Sequence, residues 1–361
     1  MRKKIIILHE FGAPNHFRAL EYLLKYQYPD VELVYGELSI KAVIKKIIRN
    51  KDFSGVRRLP GNLKTLVMLY FQKNHLVILG ISPYSFRLAY LLKMLKHHQV
   101  FYITSWAFWE EDHLPKSLFK RNKVVQNAWK IFLEQTVSGI FCVTQKSLNS
   151  LSERYKLNCK NAVVYHSFDA SIYHPPKNIL RSNIPIKCIF AGDFIPEKGL
   201  PDIFELIDRL DEKEFQFSFA GRGPLKREVA HLAASKKNVR DLGYIRDQKT
   251  LAHYYRESDV LLFPTKSELF GMVLIEAMAC GTAVISNDQV GPKEILEMGN
   301  TGYLCNEENF VEYAYSILKN LSESPNQLYE EKKKAIEFSQ QFAMEKIAPK
   351  WDLLLKNHLQ N

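Results

Sequence analysis

Two carboxylates with seven residues between them are the strongest candidates for chemistry in this chain. Glu268 lies in a polar loop, and Glu276 lies inside an apolar helical stretch. Because an unpartnered buried carboxylate costs several kcal/mol, Glu276 needs hydrogen-bond donors. The vicinal hydroxyls of a ribose would supply two donors to Glu276, and the hydroxyls of a sugar would do the same for Glu268. An internal arginine or backbone N–H groups would serve Glu276 equally well, so the residue types leave both readings open.

The segment around these carboxylates, residues 264–281, has the pattern of a ligand-binding loop. It follows an apolar strand, turns through a loop with one glycine and enters a helix that is apolar on nearly every face. A buried helix that starts at the carboxyl end of a parallel strand lies where α/β sheets bind ligands. The helix dipole and the free N–H groups of Phe270, Gly271, Met272 and Val273 would favour a phosphate there.

Apolar strands alternate with amphipathic helical patterns in both halves of the 361-residue chain, which predicts an α/β protein with two parallel sheets. Strands are predicted at 4–9, 31–35, 76–80, 99–104, 139–143, 162–165, 186–191, 214–220, 259–263 and 283–286. Helices are predicted to start near Asn15, Ser39, Pro83, Pro115, Gln145, Gly199, Pro224, Gln248, Gly271 and Pro292. A Pro-rich polar segment from His174 to Pro185 is the best candidate for a linker.

The predicted domains are therefore 1–175 and 176–342. A helical stretch within 343–361 could belong to either domain, and crossing back to pack on the N-terminal domain is one arrangement that it allows. No apolar run reaches the roughly 18 residues that spanning a bilayer requires, and a cytoplasmic protein is expected.

The acidic pair and its flanks resemble the E-x7-E motif of retaining GT-B glycosyltransferases of family 4, of the bacterial surface-polysaccharide or lipopolysaccharide type. The resemblance extends over about residues 186–305, through segments 192–199, 220–225, 291–295 and 301–304. It implies a GT-B fold in which two Rossmann-like domains face each other across a deep cleft. It also implies a hexosyl transfer from a nucleoside-diphosphate sugar, with a UDP- or GDP-linked donor expected.

The resemblance assigns a role to each donor-side residue. Glu268 would contact the donor sugar and Lys198 would neutralise the diphosphate, and these two are the candidate catalytic residues. Glu276 would bind the ribose, and the amides of residues 270–273 would face the phosphates. Gly192 and Gly221 belong to the two upstream phosphate-binding segments, and Tyr244 and Ile245 would lie along the nucleobase.

Two positions depart from the family pattern. Asp193 stands where the family usually has a phosphate-binding arginine, and Arg222 stands where an acidic residue is common. The hypothesis is that Arg222 supplies from a second loop the charge that Asp193 does not.

The acceptor side of the cleft is expected in the first domain. Gly12 and His16 lie in the loop that takes the place of the family's glycine-rich turn, and Trp106 follows the strand 99–104 where relatives often carry a histidine. An indole cannot perform acid–base catalysis, and a lone histidine is more often a structural hydrogen-bonding residue.

Charge is distributed unevenly along the chain. Residues 1–180 contain 27 Lys and Arg against 12 Asp and Glu, whereas the remainder contains 23 against 27. The stretches 39–51 and 116–130 combine basic with apolar or aromatic residues, as an interfacial helix does, although 39–51 could equally be an ordinary crossover helix. The interpretation is a peripheral enzyme on the anionic inner face of the cell membrane that acts on a lipid-linked or polysaccharide acceptor, with no nucleic-acid partner.

Neither a cofactor nor a metal is implied. No Asp-x-Asp motif is present, and the five cysteines are scattered without a CxxC pair. Three alternatives share the fold: a nucleotide-sugar epimerase, a soluble glucan synthase, or a binding or scaffold protein that lacks catalysis.

Overall fold

The computed structural model describes residues 4–10, 14–37, 65, 67, 69–109, 122–178 and 185–359. The chain divides into two compact units. The first unit comprises Met1–His166 together with Ile347–Asn361, and the second comprises Ser167–Lys346. Each unit is built around a six-stranded parallel sheet, as the alternating sequence pattern predicts.

The first sheet has the strand order β2-β1-β3-β4-β5-β6. Its strands are β1 Lys4–His9, β2 Glu32–Glu37, β3 Leu76–Gly80, β4 Gln99–Thr104, β5 Gly139–Cys142 and β6 Lys160–Val163. Ile5 to Leu8 are all buried, because helices cover both faces of a parallel sheet. The order reverses direction between β1 and β3, and such a switch point is where α/β sheets bind ligands.

The helices of the first unit pack an aromatic core against this sheet. In the described part of this unit they include α1 Arg18–Gln27, α2 Arg87–Leu95, α3 Lys123–Ile131 and α4 Gln145–Arg154. Trp109 and Trp129 are fully buried beside Tyr102 and Phe132, with ring centres 5.6 to 6.5 Å apart. Large flat side chains thus fill the space that aliphatic residues fill in most cores.

The second sheet has the strand order β12-β11-β10-β7-β8-β9. Its strands are β7 Ile186–Asp193, β8 Phe215–Arg222, β9 Val239–Gly243, β10 Val260–Phe263, β11 Ala283–Asn287 and β12 Tyr303–Cys305. The helices that follow them are α5 Leu200–Arg209, α6 Lys226–Ser235, α7 Gln248–Arg256, α8 Met272–Ala279, α9 Val290–Gly299, α10 Phe310–Glu323 and α11 Pro325–Ser339. Here the switch point lies between β7 and β10, which are paired in parallel.

The boundary between the units lies at 166/167 and not at the predicted 175/176. Residues after His166 already belong to the second unit by their hydrogen bonds: the N–H of Phe168 donates to the carbonyl of Phe342 at 3.1 Å, and Arg256 donates to the carbonyl of Ile172 at 3.2 Å. The prolines of the predicted linker therefore follow the boundary and do not mark it.

The C-terminal helix α12 runs from Met344 to Leu359, and its residues from Ile347 onward belong to the first unit. Trp351 packs on Phe141 at 4.3 Å and on Phe17 at 6.1 Å between ring centres. The hydroxyl of Tyr28 donates to Asp352 at 2.6 Å. None of the helices in the described ranges combines the length and apolar character needed to cross a bilayer.

The sequence pattern did not predict two of the strands, β9 and β12. Both are edge strands. β9 contains Arg240 and Asp241, and β12 has only three residues, so neither has an apolar run that predicts a strand. The helix predicted near Pro292 starts at Val290, and the one predicted near Pro83 starts at Arg87. The predicted helix at Ser39 lies outside the described residues.

Candidate functional site

Strands β7 and β8 end side by side at the carboxyl edge of the second sheet. In their register Gly192 is paired with Gly221, and Asp193 is paired with Arg222. A Cβ on Gly221 would lie 2.0 Å from the carbonyl oxygen of Gly192, so the two backbones approach as only glycine permits. The four residues predicted from the upstream segments are thereby brought together on one edge.

The loops after β7 and β10 contact each other through their backbones. The N–H of Lys266 donates to the carbonyl of Glu197 at 2.9 Å. Gly199 has φ +73, and a Cβ there would meet the carbonyl oxygen of Pro264 at 2.1 Å. Because β7 and β10 flank the switch point, these two loops form the wall of the place where a ligand is expected.

The two candidate catalytic residues meet on these loops. Lys198 Nζ donates to Glu268 Oε2 at 2.8 Å, and the side chains are 23% and 22% exposed. The ammonium also lies 5.9 Å from the centre of the Phe263 ring. The pair is therefore accessible to a ligand, although each of its charges is already neutralised by the other.

Phe270, whose N–H is predicted to face the phosphates, lies in the loop just before α8. Its N–H points to Glu268 Oε1 at 3.4 Å, and its ring is buried and packs edge-on against Phe342 at 6.2 Å. The reason is local packing, because the backbone of Gly291 lies directly against the backbone of Phe270. The amides of Gly271, Met272 and Val273, which are also predicted to face the phosphates, lie at the start of α8.

Helix α8 begins after Gly271, which has φ +95 and acts as the N-cap. Met272 and Val273 form its half-buried first turn. The first N–H groups of a helix have no partner within it, and the helix dipole adds a partial positive charge at this end. This arrangement suits an anion at the carboxyl edge of the sheet.

Glu276 lies inside α8 and is only 7% exposed. Burial raises the pKa of Tyr255 well above its usual range, and the nearby Glu276 carboxylate raises it further. Burial likewise raises the pKa of Cys280 to about 12, with Glu276 again contributing. Tyr255 and Cys280 thus lie close enough to feel the Glu276 charge, and the sequence did not predict either neighbour.

Arg222, the last residue of β8, and Tyr244, the residue after β9, form a stacked pair. The guanidinium carbon of Arg222 lies 4.0 Å from the centre of the Tyr244 ring, which is the geometry of a cation–π contact. Tyr244 is 54% exposed, and Ile245 after it is half-buried. Arg222 therefore presents a positively charged plane at the edge where Asp193 also ends its strand.

Histidines gather at the carboxyl edge of the first sheet. The ring of His16 stacks on that of His166 at 4.2 Å, and His9 at the end of β1 stands edge-on to His16 at 6.2 Å. Burial lowers the pKa of His9 to about 4, with His16 contributing, and burial lowers the pKa of His166 well below its usual value. All three rings lie near the switch point of this sheet.

Glu10 next to His9 is held by two partners that the sequence analysis missed. Its carboxylate accepts hydrogen bonds from the N–H and hydroxyl of Ser82, at 2.8 and 2.5 Å, and forms an ion pair with Arg87. Ser82 and Arg87 are each more than seventy positions from Glu10, so no local motif predicts these contacts.

Trp106 serves the structure of its own loop. Its indole N–H donates to the carbonyl of Phe108 at 2.6 Å, and its carbonyl accepts from Ser147 and Trp109. Gly12 lies outside the described residues. Within the part of the chain that is described, no group of three or more His, Cys, Asp or Glu residues is arranged to hold a metal ion.

Residues 177–340 match the family described as glycosyl transferases group 1. Over the whole chain, the structure superposes on that of Anabaena HepE in complex with UDP with a TM-score of 0.72 at 16% identity, covering 98% of this chain and 100% of that one. The chain has the GT-B fold. The predicted fold class is therefore confirmed, and the matched domain contains every predicted donor-side residue.

Curated relatives align with part of the chain. An uncharacterized glycosyltransferase of Methanocaldococcus jannaschii is 29% identical over 65% of this chain and 64% of its own length. A D-inositol 3-phosphate glycosyltransferase of Streptomyces bingchenggensis is 35% identical over 44% of this chain and 38% of its own length. The chain thus matches less than two thirds of the length of either relative.

Proposed function

We propose that this chain is a retaining, metal-independent glycosyltransferase of family 4 that transfers a sugar from a nucleoside-diphosphate sugar. The observation that carries the proposal is the meeting of Lys198 and Glu268 at the switch point of the second sheet, beside the N-terminus of α8. The match of residues 177–340 and the UDP in the complex of the similar Anabaena protein support it.

The proposed roles follow from charge and position. Lys198 and the first amides of α8 stabilise the negative charge that develops on the diphosphate as the bond between the anomeric carbon and phosphate oxygen breaks. Glu268 accepts hydrogen bonds from the sugar hydroxyls, and Glu276 accepts those of the ribose. The acceptor oxygen bonds to the anomeric carbon on the face that the diphosphate leaves, and the departing phosphate takes the acceptor's proton. This route needs no basic side chain from the protein.

Arg222 and Tyr244 are proposed to hold the nucleoside end of the donor. Arg222 supplies positive charge on the edge where Asp193 supplies none, and its stacking on Tyr244 fixes the plane of the guanidinium. Ile245 lies beside them and would contact the base.

The acceptor is proposed to be lipid-linked or a polysaccharide, in the synthesis of a cell-surface glycan at the inner face of the membrane. The excess of basic residues in the first 180 positions supports this, as do exposed aromatic residues of the first unit. Tyr70 is 68% exposed, Phe71 76% and Phe86 61%. His16 and Trp106 are proposed to lie on the acceptor side. The basic stretch 39–51 lies outside the described residues.

The decisive test is turnover with a panel of UDP- and GDP-linked sugars against membrane extracts, comparing the wild-type chain with Glu268→Ala. We expect the variant to lose activity by a factor on the order of 10²–10³, because a contact to the reacting sugar is lost, while its thermal unfolding is unchanged. Glu214→Gln is the control, since it breaks an ion pair of similar length and exposure with Lys319 and should keep full activity.

Activity retained by Glu268→Ala would contradict the assigned site. The alternatives give different outcomes in the same assay. An epimerase would convert the nucleotide sugar without an acceptor, a soluble glucan synthase would work without the membrane fraction, and a scaffold protein would show no turnover. Sedimentation with vesicles containing anionic lipid tests the membrane contact separately, and binding that is lost at high salt is expected.

A further inference from the structure

The residues proposed to bind the diphosphate and the sugar are bound to each other in this structure. Lys198 and Glu268 come from loops seventy residues apart and meet at 2.8 Å. Each keeps about a fifth of its side-chain surface exposed. A ligand can therefore reach the pair, but neither charge is available until the pair opens.

We propose that this ion pair makes recognition of the sugar conditional on recognition of the diphosphate, an inference that rests on the proposed function. A diphosphate carries more negative charge than a carboxylate and offers several acceptor oxygens, so it can take Lys198 from Glu268. The exchange releases the Glu268 carboxylate, which then accepts hydrogen bonds from the sugar. A free sugar or a nucleoside carries no anion that competes for Lys198, and it leaves the pair closed.

The backbone around the pair allows the exchange to proceed through the side chains alone. The N–H of Lys266 holds the carbonyl of Glu197, and the N–H of Gly291 donates to the carbonyl of Glu268 at 3.3 Å. Both loops are therefore anchored on either side of the pair. Among the described residues, the second carboxylate oxygen, Oε1, accepts one long hydrogen bond of 3.4 Å from the N–H of Phe270, which is too weak to hold Glu268 once Lys198 leaves.

The Lys198–Glu268 pair thereby determines which ligands the site selects. Glu268 is paired with Lys198 in the absence of donor and with sugar hydroxyls in its presence. Its carboxylate therefore always has a partner that offsets the cost of its desolvation. Only a ligand that carries phosphate and sugar together satisfies both residues at once. Free sugars, nucleosides and nucleoside monophosphates lacking the sugar satisfy at most one of them.

A double-variant cycle with Lys198→Met and Glu268→Gln tests this on the full chain, with UDP and GDP as probes in titration calorimetry. Glu268→Gln frees Lys198, and we expect it to bind the nucleotide roughly two- to fivefold tighter than the wild type, the fold-change of a partly exposed ion pair. In the Lys198→Met background the same change should leave nucleotide affinity unaltered. Uridine and guanosine should bind all four proteins equally.

The cycle separates this exchange from simple repulsion between Glu268 and the diphosphate. Repulsion alone would give the same gain in both backgrounds, and that result would overturn the inference. Glu214→Gln, which breaks the matched Lys319 pair at 2.7 Å, should leave nucleotide affinity at the wild-type value. If the wild type binds a nucleotide and Glu268→Gln binds it no tighter, only this inference is overturned. If the wild type binds neither nucleotide, the proposed function falls and takes the inference with it.

Discussion

The carboxyl edges of the two sheets are built in different ways, although each lies at a switch point in its strand order. In the second unit, close backbone contacts position charged side chains that stay partly exposed, as Gly199 against Pro264 and Lys198 with Glu268 show. In the first unit, side chains pack on side chains: His16 lies on His166, and Glu10 is held by Arg87 and Ser82.

This difference explains why only one edge is recognisable in the sequence. A site shaped by backbone approach needs glycines and helix starts, and each of these lies in a short continuous segment of the chain. A site shaped by side-chain contacts draws on distant segments and tolerates many residue types. The carboxyl edge of the second sheet is therefore recognisable from the continuous segment 264–281. The carboxyl edge of the first sheet is not recognisable from any single segment.

The largest effect on stability is expected from a substitution of Gly199 in the second unit. Gly199→Ala should lower the free energy of unfolding by roughly 3–4 kcal/mol, because φ is +73 and the new Cβ would meet a backbone oxygen at 2.1 Å. Gly243→Ala is the matched control: its φ is +65, but nothing lies within 4 Å of an added Cβ, so it should cost only about 1–2 kcal/mol. Denaturant unfolding measures both. Equal losses would mean that the two loops do not press on each other.

The free energy of unfolding should depend on pH through His9 at the carboxyl edge of the first sheet. His9 has a pKa of about 4 in the folded chain because it is buried and close to His16, whereas the unfolded chain binds a proton near 6.5. The contribution of His9 to the free energy of unfolding is therefore fully present above pH 6.5. It decreases by about 3 kcal/mol as the pH drops towards 4. His9→Gln should make the decline of the unfolding free energy at low pH shallower, and the part that the buried His166 contributes should remain.

His253→Gln serves as the control for that profile. His253 is 58% exposed and lies on the surface of the second unit next to Glu257. Its replacement should leave the decline between pH 6.5 and 4 as steep as in the wild type. A wild-type profile that is flat over this range would contradict the burial of an uncharged His9.

The smallest expected effect concerns the charge exchange between Asp193 and Arg222. Arg222→Ala should weaken binding of UDP or GDP roughly fivefold, on the order of 1 kcal/mol, because it removes an exposed cation stacked on Tyr244. Arg209→Ala, which removes an exposed arginine paired with Glu205 and Glu312, should change nothing in the same titration. Unchanged affinity in the Arg222 variant would refute the idea that it replaces the missing arginine.

Much of the fold was predictable because central strands are apolar on both faces. β1, β3 and β4 have the predicted bounds, and the two parallel sheets follow from the alternation of strands and helices. β9 was missed because it contains the charged residues Arg240 and Asp241, and β12 was missed because it has three residues. The unit boundary was placed too late, because prolines mark a break in secondary structure and not the residue at which packing changes units.

For the candidate site, the sequence by itself determined which residue types are available and where the donor-side loops lie, since Lys198, Glu268, Gly271 and Glu276 belong to short continuous segments. Only the tertiary structure decided how their charges are satisfied. The Lys198–Glu268 pair, the stacking of Arg222 on Tyr244 and that of His16 on His166 each join distant segments. Whether such groups meet depends on strand order and loop approach, which local residue patterns do not encode.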